Sequence, residues 1–251
     1  MKICKTVFAN LKKYRYNADM RFFLYFLTGT IIGSFINMMS SRLVLEKSLL
    51  KTRSECDKCN KKIIWYDLMP ILSYLLLQGK CRYCKTKIPA YYPVVELLFG
   101  FIALWLFSHE SITIQSMLKI SFVALLSINS ITDILVTNIY NKALYPLMVV
   151  ALLLSIISGN IVYQLIQALI LTVLIWVMAK GIGAFKQEKS LGEGDYYIFF
   201  CIGLLFSYEG LIRIIMISSL IGIMIALFIK RKSLPFVPLL QIGIMGAYLW
   251  S

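Results

Sequence analysis

Long apolar runs separated by basic loops constrain this chain more than any other feature. Reading between charges places the runs near residues 22–41, 92–108, 112–132, 143–158, 161–179, 196–208, 211–229 and 235–250. A helix needs roughly 20 apolar residues to cross the hydrocarbon core. The runs therefore predict an all-α polytopic membrane protein with about eight transmembrane helices. The fourth, sixth and last runs are short, and the sixth fits a re-entrant segment as well as a span. Only 15% of the residues are charged, against about 25% in an average soluble domain.

The charges set the expected orientation. Residues 42–91 carry eleven Lys and Arg, so this loop is expected on the cytoplasmic side by the positive-inside rule. Alternation then puts the loops at 133–142, 180–195 and 230–234 on the same side, with Lys142, Lys180, Lys186, Lys189, Lys230, Arg231 and Lys232. The opposite connections, near 109–111, 159–160 and 208–210, hold no Lys or Arg. The N-terminal segment disagrees: it carries six basic residues, yet alternation puts it outside. The larger loop outweighs it. A net charge of +14 also suits nucleic acid, but basic residues gathered between spans fit a bilayer and its anionic headgroups instead. No nucleic-acid partner is expected. Residues 1–21 show no secretory cleavage pattern. The expected organisation is a basic segment over 1–21, a first span over 22–41, a cytoplasmic loop domain over 42–91 and a membrane core over 92–251.

Asp133 and Asp195 stand at the edges of apolar runs. Ionisable groups beside hydrocarbon are costly and mark function by default. Two spans separate them, so topology returns the chain to the same face. Asp195 closes a Gly192-Glu-Gly-Asp turn, in which Gly192 and Gly194 permit tight turning and close approach of a substrate main chain. Two adjacent carboxylates share a proton, one activating water while the other polarises a carbonyl. The plainer reading makes Asp195 a helix cap and Asp133 a span end. A transporter passing protons or cations through the two aspartates is the alternative function, although transport sites usually lie near the midplane. A scaffold that docks a partner through its cytoplasmic loop is a third.

Cys56, Cys59, Cys81 and Cys84 form C-x2-C-x21-C-x2-C. That spacing suits a closed, structural tetrahedral Zn²⁺ site. Two disulfides or unpaired thiols are the competing readings, the former disfavoured in a reducing compartment. Between the pairs, the apolar stretch from Trp65 is too short to span and reads as an interfacial helix.

Taken in order, these residues resemble the type IV prepilin peptidase family, the leader peptidase/N-methyltransferases of pilus, competence and type II secretion systems. Gly33 to Asn37 with Arg42-Leu43 looks like the family's first-span signature. Ser54 to Cys59, Asp67, Pro70, Leu72-Ser73, Gly79 to Cys84 and Tyr92 to Glu96 look like its zinc-loop block. Asp133 and Gly192 to Asp195 match its catalytic motifs, and Pro235-Phe-Val-Pro238 its closing element. Asp57 in place of a proline, Ile139-Tyr140-Asn141 after the first aspartate and Tyr197 in place of a lysine depart from the pattern.

The resemblance implies a multi-pass enzyme of the cell membrane, a GxGD-type aspartyl protease. It would remove the basic leader of prepilins or pseudopilins at the cytoplasmic face, with Asp133 and Asp195 as catalytic residues. It also implies N-methylation of the new N-terminus using S-adenosylmethionine. Nothing in the chain resembles a soluble methyltransferase's glycine-rich loop. Glu96 is the candidate residue for methylation, although pairing with a basic loop residue explains it equally. Asn37 and Arg42 are candidates for a substrate groove, with capping and headgroup contact as the alternatives. His109, the only histidine, reads as an interface residue and not a catalyst.

Overall fold

The computed structural model describes residues 2–49, 53–186, 191–228 and 235–249. Lys189, Lys230, Arg231 and Lys232, used in the charge argument, lie outside the described residues. Nine α-helices occur among the described residues: α1 Lys2–Val44, α2 Leu72–Leu76, α3 Tyr91–His109, α4 Ile114–Val136, α5 Asn141–Ser158, α6 Ile161–Lys186, α7 Glu193–Leu205, α8 Tyr208–Phe228 and α9 Phe236–Leu249. A 3-10 turn covers Trp65–Leu68.

Among the described residues, six helices are long and apolar enough to cross a membrane: α1 from Met20, α3, α4, α5, α6 to Gly181, and α8. The expected count of about eight is thus corrected. The runs at 196–208 and 235–250 become α7 and α9, of 13 and 14 residues. At 1.5 Å per residue each is about 20 Å long, short of the roughly 30 Å core. The N-terminal basic segment and the first candidate span, from Met20, lie on one helix. Helix α1 runs unbroken from Lys2, and no Gly or Pro precedes Gly29 to stop it.

The chain divides into two compact units, Met1–Met39 with Ser48–Ser116 and Ser40–Lys47 with Met117–Ser251. In the first, α1 packs on α3 through small residues. A Cβ on Gly33 would stand 2.7 Å from Glu96 Cα, and one on Gly29 would overlap the Phe99 carbonyl. Gly29 and Gly33 are four apart on one helix face, the spacing that lets membrane helices approach backbone to backbone. Phe26 stacks edge-on against Phe101 and Tyr25 tilts against Phe107, with ring centroids 5.3 and 5.5 Å apart.

In the second unit α7 lies at the centre, packed against α5, α6 and α9. Ile198, Cys201, Ile202 and Leu204 are buried in one cluster with Leu144, Leu147, Ala168, Val237 and Leu240. Gly203 meets Ala168 on α6, where a Cβ would stand 2.7 Å from its Cα. Buried Gln167 donates to the Phe206 carbonyl at 2.6 Å and so closes the C-terminal end of α7. A helix apolar all round is a core helix, and neighbouring helices cover this one.

Candidate active site and metal centre

Asp133 and Asp195 belong to the same unit. Asp133 is on the last turn of α4. Its Oδ2 accepts the Val237 N–H at 3.0 Å, and Phe236 N–H also hydrogen-bonds to it. Both donors are in the first turn of α9, where N–H groups have no partner within the helix and favour negative charge. Pro235 and Pro238 fit that position, because a helix start has no N–H bonds for a proline to remove. Asp195 is in the first turn of α7. Its Oδ2 accepts the Gly192 N–H at 3.0 Å, while the Gly192 carbonyl accepts the Asp195 N–H at 3.2 Å. The reading of Asp195 as the helix cap is corrected: Gly192 is the cap residue, and Asp195, third in the helix, bonds back to its N–H.

Two contacts draw these segments together. Ile139, just after α4, covers Gly194, where a Cβ would stand 2.8 Å from Ile139 Cβ. Phe199, one turn along α7 from Asp195, stacks on Phe236 at 5.4 Å. The two carboxyl groups are near enough for the charge of Asp133 to bear on Asp195. Each residue is less than a tenth exposed. Among the described residues, no Lys or Arg pairs with either.

The glycines act differently from expectation. Gly192 is extended (φ −74°, ψ 156°), a conformation any residue adopts. Gly194 is helical. Neither supplies a tight turn. Gly194 is required by Ile139 packing on it, and a Cβ on Gly192 would lie 3.4 Å from Asp195 Oδ2. Sequence reasoning noted Ile139 only within a motif and missed its packing on Gly194, along with the N–H groups of Phe236 and Val237. The one signal for the latter was the pair of prolines at 235 and 238, spaced for a helix start.

The four cysteines converge in the first unit. Their Sγ atoms all lie within 4.8 Å of one another, and Cys56 Sγ is 3.7 Å from Cys84 Sγ. Four sulfurs about 2.3 Å from a central ion stand about 3.8 Å apart in a tetrahedron, so the set fits a bound metal and none of the four is in a disulfide. The two pairs sit in matching hairpins. Cys56 N–H bonds to Lys61 and Asn60 N–H to Cys56; Cys81 N–H bonds to Thr86 and Lys85 N–H to Cys81. Asn60 and Lys85 both take positive φ, and bridges Glu55–Lys62 and Lys80–Lys87 close the hairpins. Hydrogen bonding with Thr86 pulls the Cys84 thiol down to about 6, toward the thiolate form that a metal binds.

A buried carboxylate ties this region to α3. Glu96 Oε2 accepts the Ile71 N–H at 2.7 Å, and Ser34 bonds to it from α1. This is not the basic-loop pairing considered from sequence. Asn37 Nδ2 donates to the Tyr92 carbonyl at 3.0 Å, while its buried Oδ1 has no partner among the described residues. Arg42, also buried, falls in the second unit, so the two groove candidates belong to different units. His109 ends α3 beside Trp105, bonded to its carbonyl at 2.8 Å.

Known proteins match this chain in two blocks. Residues 27–110 match the bacterial peptidase A24 N-terminal domain, and residues 120–227 match the type IV leader peptidase family. Three relatives are named prepilin leader peptidase/N-methyltransferase. That of Vibrio cholerae is 30% identical over 79% of this chain and 83% of its own. That of Myxococcus xanthus is 26% identical over 80% and 61%. That of Bacillus subtilis is 29% identical over 90% and 93%. No solved structure matches with significance. With both domains in order, the paired aspartates in the second and the four-cysteine cluster in the first, the chain belongs to the type IV leader peptidase family, the prepilin peptidases.

Proposed function

We propose that this enzyme cleaves the leader peptide from prepilins or pseudopilins by aspartyl catalysis at the cytoplasmic face, with Asp133 and Asp195 as the pair. The observation that carries the reading is a pair of buried carboxylates in one unit, from α4 and α7, near enough for the charge of one to bear on the other. In the proposed resting state the two carry one proton between them, because each charge disfavours the other. Asp133 receives two main-chain N–H donors and is placed to keep the charge. It takes a proton from water as the oxygen attacks the scissile carbonyl carbon. Asp195 gives the shared proton to the carbonyl oxygen, leaving a gem-diol. Asp133 then protonates the amine nitrogen as the C–N bond breaks, and Asp195 recovers its proton from a hydroxyl. The basic loops of residues 42–91 and around Lys142 support the cytoplasmic orientation.

Zn²⁺ fits the four sulfurs in number, spacing and chemistry. Cys56, Cys59, Cys81 and Cys84 would hold it with no open position, so its role would be structural, joining the two hairpins. N-methylation by S-adenosylmethionine is proposed from the names of the relatives. Glu96 is committed to Ile71 and Ser34, so it does not fit as a direct contact for that cofactor. Any part it plays runs through the shape of the turn at Ile71.

The deciding experiment incubates the purified protein with a prepilin peptide, with and without S-adenosylmethionine, and reads the products by mass spectrometry. Cleavage is expected in both arms and a gain of one methyl only with the cofactor. Asp133→Asn and Asp195→Asn are each expected to lower kcat/KM by about 10³-fold. Full activity in either variant would refute the assignment.

A further inference from the structure

The segment between the two cysteine pairs presents apolar side chains outward. Trp65 is 76% exposed, Leu75 66% and Leu76 81%, with Leu68, Met69 and Leu72 also exposed. A contiguous apolar surface of this kind marks an interaction site. The segment is also held rigidly. Asp67 grips Arg82 through two hydrogen bonds, at 2.8 and 2.6 Å, and Arg82 lies over the Tyr66 ring.

At its centre is a strained turn. Ile71 adopts φ 62°, ψ −52°, and the Leu72 N–H bonds to the Pro70 carbonyl at 2.6 Å. That is a γ-turn of the rare, strained form, on a β-branched residue. The buried Glu96 carboxylate holds it by accepting the Ile71 N–H. Strain kept by a buried acid fixes the direction in which Met69 and Leu72 project.

Position and charge identify the occupant. Glu96 lies on α3, a candidate span whose outward residues Val94, Leu97 and Leu98 are exposed as well. The apolar surface is therefore tethered beside a membrane-crossing helix. Residues 53–90 carry eight Lys and Arg against three Asp and Glu, and Lys61, Lys62, Lys80 and Lys85 are exposed. An apolar tip with a basic rim suits the headgroup region of an anionic bilayer.

We propose that Trp65, Leu68, Met69, Leu72, Leu75 and Leu76 insert into the headgroup layer of an anionic membrane, with the surrounding lysines on the phosphates. The surface then docks the metal-binding hairpins flat on the bilayer. This inference is independent of the peptidase assignment.

The test uses the full chain with Trp65 as sole tryptophan (Trp105, Trp176 and Trp250 to Phe), in phosphatidylcholine vesicles with and without phosphatidylglycerol. The lipids carry bromine at shallow or deep acyl positions. Trp65 emission is expected to shift blue, to be quenched by shallow bromines and to be shielded from aqueous iodide, more strongly with phosphatidylglycerol. Each lysine changed to glutamine at 61, 62, 80 or 85 is expected to lower the docked-to-free ratio by about fivefold in the anionic vesicles. Two outcomes overturn the proposal. One is Trp65 fully open to iodide with no bromine quenching in either lipid while far-UV circular dichroism shows the helices intact. The other is shielding that appears only when an acidic peptide is added, which assigns the surface to a protein.

Discussion

Asp133 serves first as base and then as acid in the proposed chemistry, and also as the cap of α9, and substitution separates these roles. Asn keeps an oxygen that accepts the Val237 N–H; Ala does not. Asp133→Asn is therefore expected to lose cleavage with its thermal transition little changed. Asp133→Ala is expected to lose cleavage and about 1 kcal/mol of stability, as removal of a helix cap usually does. A melting curve in detergent distinguishes them. Gly194→Ala is expected to cost about 1–3 kcal/mol through collision with Ile139, and Ile139→Ala in the same chain should recover part of it, read as a double-mutant cycle. The two aspartates and four cysteines were legible in the sequence because their chemistry is carried by residue type and spacing. Their partners were not. Val237 acts through its main-chain N–H, which every residue but proline has, and Ile139 through a contact that only the fold creates.

Among elements, α1 and α3 depend on close approach. Gly33→Leu is expected to force them apart and lower stability by about 1–3 kcal/mol, while Leu at the exposed position of Ile31 is expected to change little; thermal unfolding compares the two. The turn at Trp65–Leu68 is joined to the second hairpin by Asp67 and Arg82. The hydrogen bonds from Arg82, and then its charge, hold the Asp67 carboxyl below the usual range. Such an acid stabilises the folded state at pH values above its unfolded pKa, and that stabilisation is lost as pH falls through the lower folded value. Limited proteolysis of residues 53–90 should show Asp67→Asn cut faster than the parent at neutral pH, with the gap closing in acid. From sequence this stretch read as one interfacial helix. It is a 3-10 turn and a short helix divided at Ile71, because the preceding Pro70 and the buried Glu96 fix a kink that apolar periodicity does not reveal.

For the molecule as a whole, the metal centre is read by stoichiometry. One Zn per chain is expected in the purified protein and far less in Cys56→Ser, with the helical signal of both largely unchanged. The membrane class of the fold was legible from the runs alone, and six of the eight expected spans survive. The other two were miscounted because a helix buried among helices has the same composition as one facing lipid; length was the only cue. For α7 that shortness has a consequence during synthesis. A 13-residue helix beginning with Glu193 and Asp195 has too little apolar length to partition into lipid alone. It must leave the translocation machinery alongside α5 and α6, which precede it in the chain and pack against it. Lengthening the linker before α7 should therefore strand it in water, where a reactive cysteine replacing Glu193 and one replacing Phe200 would be labelled alike.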